Sequence, residues 1–185
     1  MARIISFFLN KAEMSVNDSA SGMPAAKVKD KTLANFATTL RALLRQDPDI
    51  IMVGEIRDTE TAKIALQAAQ TGHLILSSLH SNNAIETIFR LISLGKIPYH
   101  LIPTKFLIVA QRLIRKSEYP GRTGLFECLP VTEKLLRLLM KNTDTYTLLK
   151  AAQAEGFMTL REVGMEKVNQ GLTTLSELNR VLSYL

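Results

Sequence analysis

Residues 50–80, IIMVGEIRDTETAKIALQAAQTGHLILSSLH, leave a chain few ways to fold. Ile50 to Val53 are four consecutive apolar residues, too few for a helix and too uniform for a half-exposed strand, so they predict a strand buried on both faces. Such strands are usually parallel and central. Asp58 or Thr59 can then cap a helix, Glu60 favours its positive end, and Gly72 stands where a left-handed C-terminal residue is wanted. Ala62, Ala65, Leu66 and Ala69 give that helix a flat, small-residue face suited to a sheet. A second apolar strand comes next, from about Leu74 to Leu79. Strand, helix and strand on short links form a βαβ unit, with a right-handed crossover and parallel strands.

That topology predicts where chemistry belongs. The C-terminal ends of parallel strands share one edge, and open α/β sheets bind ligands there. Glu55 follows the end of the first strand and His80 the end of the second, so a carboxylate and an imidazole are expected close together at that rim. His73, at the opposite edge, reads as structural.

The rest of the chain frames this unit. Among 185 residues, 46% of them hydrophobic, no apolar run approaches the ~20 of a membrane span, and the start MARIISFFLN lacks the pattern of an export signal. A soluble, cytoplasmic chain is expected. The lone Cys128 excludes an internal disulfide and a cysteine-built zinc site, and it reads as a small buried hydrophobe. Net charge is +6, but it is diffuse: residues 1–50 carry seven basic and five acidic side chains, and no block of five like charges occurs. A solvated mixed surface is expected, without nucleic acid as a partner.

Residues 10–31 show no hydrophobic period and read as a loop, whereas apolar spacing from Leu33 to Leu44 predicts a helix that must stop before Asp47-Pro48. After His80, NNAIETIFRLISLG predicts an amphipathic helix ending at Gly95. Another helix is expected over roughly Lys105 to Arg115, then a turn and short strand in GRTGLFECLP. Further helices are expected near Thr132 and from Asp144 to Gly156, and TLRE (159–162) and TLSE (174–177) both read as capping boxes.

Taken together, these motifs resemble the C-terminal half of the ATPases that power type II secretion and type IV pilus assembly. LLRQDPDIIMVGEIRD is similar to that family's Walker B region and TGHLILSSLHSNNA to its His box; AQRLIR, GRTGLFE and REVGMEKVNQGLTT are similar to its C-terminal domain. The resemblance covers about residues 33 to 181 and implies an α/β fold, a truncated RecA-like P-loop NTPase core with a parallel sheet, followed by a small helical domain. It implies three parts: a poorly defined segment at 1–31, a partial ATPase domain at 32–103, and a mostly helical domain at 104–185. Glu55 resembles the catalytic Walker B glutamate, His80 the γ-phosphate sensor, and Gly54 the position where many NTPases carry a magnesium-directed Asp. Arg57, Arg112 and Arg122 are candidates for charge near the nucleotide, each also able to serve in an ordinary ion pair. ATP and Mg2+ are the implied ligands. A homo-oligomeric, hexameric ring or full-length ATPase subunits, and an inner-membrane platform protein, are the implied partners, on the cytoplasmic face of the inner membrane.

One departure is large. No G-x-x-x-x-G-K-[ST] occurs in the sequence, since Gly95-Lys96 is followed by Ile97. The expectation is therefore an ATPase part that is inactive alone, or else a non-catalytic module that joins full-length subunits or binds the platform. A nucleic-acid motor is a third reading, which the diffuse charge disfavours. With the first strand of the core unaccounted for, the sheet edge beside residues 50–53 is expected to be open.

Overall fold

A computed structural model describes residues 4–9, 25–28, 42, 44–46, 48–95, 105–117, 120–141 and 143–183. Six strands, β1 (Ile4–Leu9), β2 (Ala25–Val28), β3 (Ile50–Val53), β4 (Leu74–Leu79), β5 (Lys105–Arg115) and β6 (Arg122–Val131), form one sheet in the order β2-β3-β4-β1-β5-β6. Among the described residues, the helices with defined bounds are α1 (Thr59–Gln70), α2 (Ala84–Gly95), α3 (Glu133–Met140), α4 (Thr145–Ala154), α5 (Leu160–Asn169) and α6 (Leu175–Leu182).

The βαβ unit forms as its sequence predicts. β3 and β4 pair in parallel with Ile50 opposite Leu74 and Val53 opposite Ser77. Asp58 caps α1 by accepting from the Thr61 amide at 2.8 Å, and Gly72 takes the positive φ of 103° that ends the helix. The alanine face of α1 is fully buried, with Ala62, Ala65 and Ala69 at 0% exposure.

Several expectations are corrected. Residues 105–115 form a strand, not a helix: Phe106, Ile108, Ala110 and Ile114 are buried while Leu107, Val109 and Leu113 are not, an alternation of period two. Ten residue pairs with β6 fix that choice, from Phe106 opposite Val131 to Arg115 opposite Arg122. Within the segment read as a loop, Ala25–Val28 pair in parallel with β3, so the edge beside residues 50–53 is covered. β3 is not buried on both faces, because Met52 is 43% exposed while Ile51 and Val53 belong to the core with α1. Cys128 is exposed, since the pleat of β6 turns Leu125, Glu127 and Leu129 inward and Phe126, Cys128 and Pro130 outward. The helix expected at 33–44 lies outside the described residues apart from Ala42 and Leu44, which are helical.

The sheet is parallel through β2, β3 and β4 and antiparallel around β1, which pairs with both β4 and β5. Two hydrophobic clusters lie on its helix-covered face. The larger joins β3, β4 and α1 to α4 and takes in Ala110 and Leu129; the smaller packs α5 and α6 on Ile114 and Leu125. Thr159 and Glu162 complete a capping box at the start of α5. At α6 only half of the expected box forms: Thr174 accepts from the Glu177 amide, but the Glu177 carboxylate accepts from the Arg115 amide and from Arg180. Among the described residues no helix is long and apolar enough to cross a membrane.

Candidate active site

The site grows from the rim where β3 and β4 end. Past the paired residues, the Ile56 amide donates to the Ser78 carbonyl at 3.0 Å and the Ser78 hydroxyl donates to the Gly54 carbonyl at 2.7 Å. These two bonds hold the strand extensions side by side, so the residues just past each strand are positioned by the sheet. Glu55 Oε1 then lies 2.9 Å from His80 Nε2, and Glu55 Oε2 lies 2.7 Å from an Arg57 terminal nitrogen. The Glu55 side chain is 19% exposed, whereas His80 and Arg57 are 60% and 59% exposed. A half-sheltered carboxylate is thus flanked by two groups that can donate to an anion and are open to solvent.

The other predicted residues divide. Gly54 is at the rim and exposed, with its carbonyl taken by Ser78. Arg112, on β5, donates to the carbonyl of Asn82, two residues past His80, so it braces the His80 loop. Burial lowers its affinity for the proton, opposed by the charges of Glu127 and Glu86. Arg122 is not brought to the rim. It sits opposite Arg115 on β6, four strands from β3 in the sheet order, which at the usual strand spacing is about 19 Å. There it lines a cavity of about 550 Å³ with Arg115, Lys116, Glu177 and Arg180. His73 occupies the opposite end of β4, where its Nδ1 is 3.0 Å from the Ala68 carbonyl at the end of α1.

The sequence reading missed Glu127. Its residue is only 2% exposed, and its carboxylate accepts from the Ala84 amide and, at 2.8 Å, from the Leu160 amide. Burial pushes its carboxyl above the usual range, against the pull of those amides and of Arg112. The available signal was the alternation of GLFECLP, which places Glu127 between inward Leu125 and Leu129. Among the described residues no group of three His, Cys, Asp or Glu side chains is arranged to hold a metal.

Residues 9–180 match the family described as type II/IV secretion system protein. The chain is 36% identical over 218 aligned residues to the type IV pilus assembly ATPase PilB of Acinetobacter baylyi, covering 95% of this chain and 38% of that protein. It is 41% identical to the protein transport protein HofB homolog of Escherichia coli, covering 88% and 43%. The chain therefore spans about two fifths of the length of these curated relatives. Among solved structures, the pilus retraction motor PilT with bound ADP is similar with TM-score 0.69 and 35% identity, over 79% of this chain and 43% of that one. The Legionella pneumophila ATPase DotB gives TM-score 0.69 and 28% identity, over 83% and 43%.

Proposed function

Because the chain belongs to the type II/IV secretion system protein family, we propose that it is part of a secretion or pilus-assembly ATPase. In this reading it contributes the Walker B and His-box side of a nucleotide site whose ATP hydrolysis is coupled to protein export or pilus biogenesis. The observation that supports this most directly is the convergence of Glu55, Arg57 and His80 on the C-terminal rim of parallel strands. Phosphoryl transfer needs a placed water and positive charge on the departing oxygens more than it needs covalent help.

Each residue has a role in that frame. With its two oxygens on His80 and Arg57, the Glu55 carboxylate is held in a fixed orientation. An arriving triphosphate competes for both partners. Arg57 and His80 then turn to phosphate oxygens, and the Glu55 oxygens become available to accept from the attacking water. Mg2+ commonly takes one or two carboxylates, with water and phosphate oxygens completing its shell; Glu55 fits as one such ligand. The metal would supply charge neutralisation at the phosphates. Gly54 offers no side-chain ligand, and Arg112 acts by bracing the loop that carries His80.

The sequence contains no G-x-x-x-x-G-K-[ST] to cradle phosphates, so the proposal includes weak or no hydrolysis by this chain alone. Activity then requires full-length ATPase subunits that carry that motif; the chain joins them, or other copies of itself, in a ring beside an inner-membrane platform protein. The division near residue 103 into ATPase core and C-terminal domain belongs to the same proposal. The experiment is to measure ATP hydrolysis by the chain alone and mixed with a full-length PilB-type ATPase. The expected result is background alone and a changed rate in the mixture, with the change altered by Glu55→Gln. Ordinary turnover by the isolated chain would overturn the inactivity, and a mixture indistinguishable from the ATPase alone would overturn the role in a shared site.

A second reading, a non-catalytic module that docks on full-length subunits, is favoured by the four well-capped helices α3 to α6. It predicts the same co-assembly with no effect of Glu55→Gln.

A further inference from the structure

The two hydrophobic clusters are divided by polar residues on the same sheet face. On β5 the first reaches Ala110 and the second begins at Ile114, with Arg112 between; on β6 Glu127 lies between Leu129 and Leu125. Helix α2 packs in the first cluster through Ala84, Ile85, Ile88 and Leu91, and α5 enters the second through Leu160. Glu127 therefore sits on the seam between two packing units.

Its two oxygens serve both sides. A helix leaves its first amides without partners inside the helix, and the cap side chain normally reaches only the second or third of them. Asn83 Oδ1 accepts from the Glu86 amide at 2.8 Å, and the Thr159 hydroxyl accepts from the Glu162 amide at 3.3 Å. Neither cap serves the first amide of its helix, Ala84 in α2 and Leu160 in α5, and Glu127 Oε1 takes one while Oε2 takes the other. A buried carboxylate facing two positive helix ends is compensated, and losing either partner leaves charge or an amide unsatisfied. The chain from Ala84 back to His80 is short, and Arg112 holds its Asn82 carbonyl.

We propose that Glu127 is a positioning residue for His80: one buried carboxylate is the shared cap of α2 and α5, so a displacement of the C-terminal helices α5 and α6 is delivered to the His80 loop. The link to catalysis rests on the proposed role of His80; the shared cap stands on its own geometry. Because both bonds end on one planar group, α5 moves away only by breaking its bond or by tilting the carboxylate that holds Ala84.

The test perturbs one end and reads the other by NMR on the labelled full chain without nucleotide, so its outcome is independent of whether the chain serves an ATPase. Thr159→Ala removes the cap of α5. In the native background it is expected to shift the Ala84 amide and the His80 imidazole resonances; in the Glu127→Gln background the His80 response is expected to disappear. An equal response in both backgrounds, or no movement of Ala84 in the native one, would overturn the proposal. If Glu127→Gln does not fold, Ala84→Pro replaces it, removing the donor at a first helical position that accepts proline. In that background a persisting His80 response to Thr159→Ala overturns the proposal, and its loss supports it.

Discussion

Glu55 Oε1 and His80 Nε2 meet at 2.9 Å across the ends of two adjacent parallel strands. The contact joins a sheltered carboxylate to an imidazole that is mostly in solvent, and Arg57 on the other oxygen is equally open. Exposed ion pairs contribute little to folding, since water and salt screen them.

Glu55→Gln is therefore expected to change unfolding stability by less than about 1 kcal/mol. Urea unfolding of the two chains checks this. A loss above about 2 kcal/mol would mean that the rim is a structural clamp rather than a site kept for a ligand.

The strand at 105–115 makes a sharper stability prediction. Ile108 and Ile114 are 1% and 0% exposed on one face, and Leu113 is 46% exposed on the other. Alanine at Ile108 or Ile114 is expected to cost about 2–4 kcal/mol, and alanine at Leu113 under about 0.5 kcal/mol. Denaturant midpoints of the three variants decide it; a helix would not place residues 108 and 114 on one face.

Gly164 brings α5 against α6. A Cβ built there would lie 2.3 Å from Leu178 Cδ1 and 3.2 Å from its Cγ, and Leu178 is fully buried. Alanine gains helix propensity of about 1 kcal/mol but overpacks a closed contact at a cost of about 1–3 kcal/mol. Gly164→Ala is expected to lower the thermal midpoint, and a rise would show that Leu178 has room to turn.

Two glutamates give opposite slopes with pH. Arg180 and the Arg115 amide hold Glu177 down to about 2, so the unfolded chain binds its proton first and stability rises with pH between about 2 and 4.5. Glu127 is raised by burial, so the folded chain keeps its proton longer and stability from this group falls with pH above about 4.5. Arg112 and the Ala84 and Leu160 amides oppose that rise, and Glu86 adds to it. In denaturant midpoints measured against pH, Glu177→Gln is expected to flatten the acid limb, and Glu127→Gln to remove the decline above it.

What was legible in the sequence was local. The βαβ unit from Ile50 to Leu79 is specified by its own apolar runs, its Asp58 cap and its Gly72 stop, and the convergence of Glu55 and His80 comes from its topology. KFLIVAQRLIR was misread because its near-continuous apolar run suits a helix as well as a strand, and the pairing with β6 that decides between them is tertiary. Ala25–Val28 has little strand preference of its own, and its conformation comes from the edge of β3. The Thr174 half of TLSE was legible, while Glu177 was drawn off by Arg180, one turn along the helix, and by the Arg115 amide, which sequence distance conceals. Glu127 lay unnoticed because its two partners come from helices far apart in the chain.

The strand nearest the start of the sequence, β1, is also the one that joins the halves of the sheet, with Ile4 opposite both Leu79 and Ala110. Its segment must wait for roughly a hundred later residues before its second neighbour exists, a long loop to close and a slow kind of contact. The β2-β3-β4 layer and the β5-β6 hairpin each draw on nearer pieces, so this topology predicts that residues 4–9 join late, as a seam between two edges already formed.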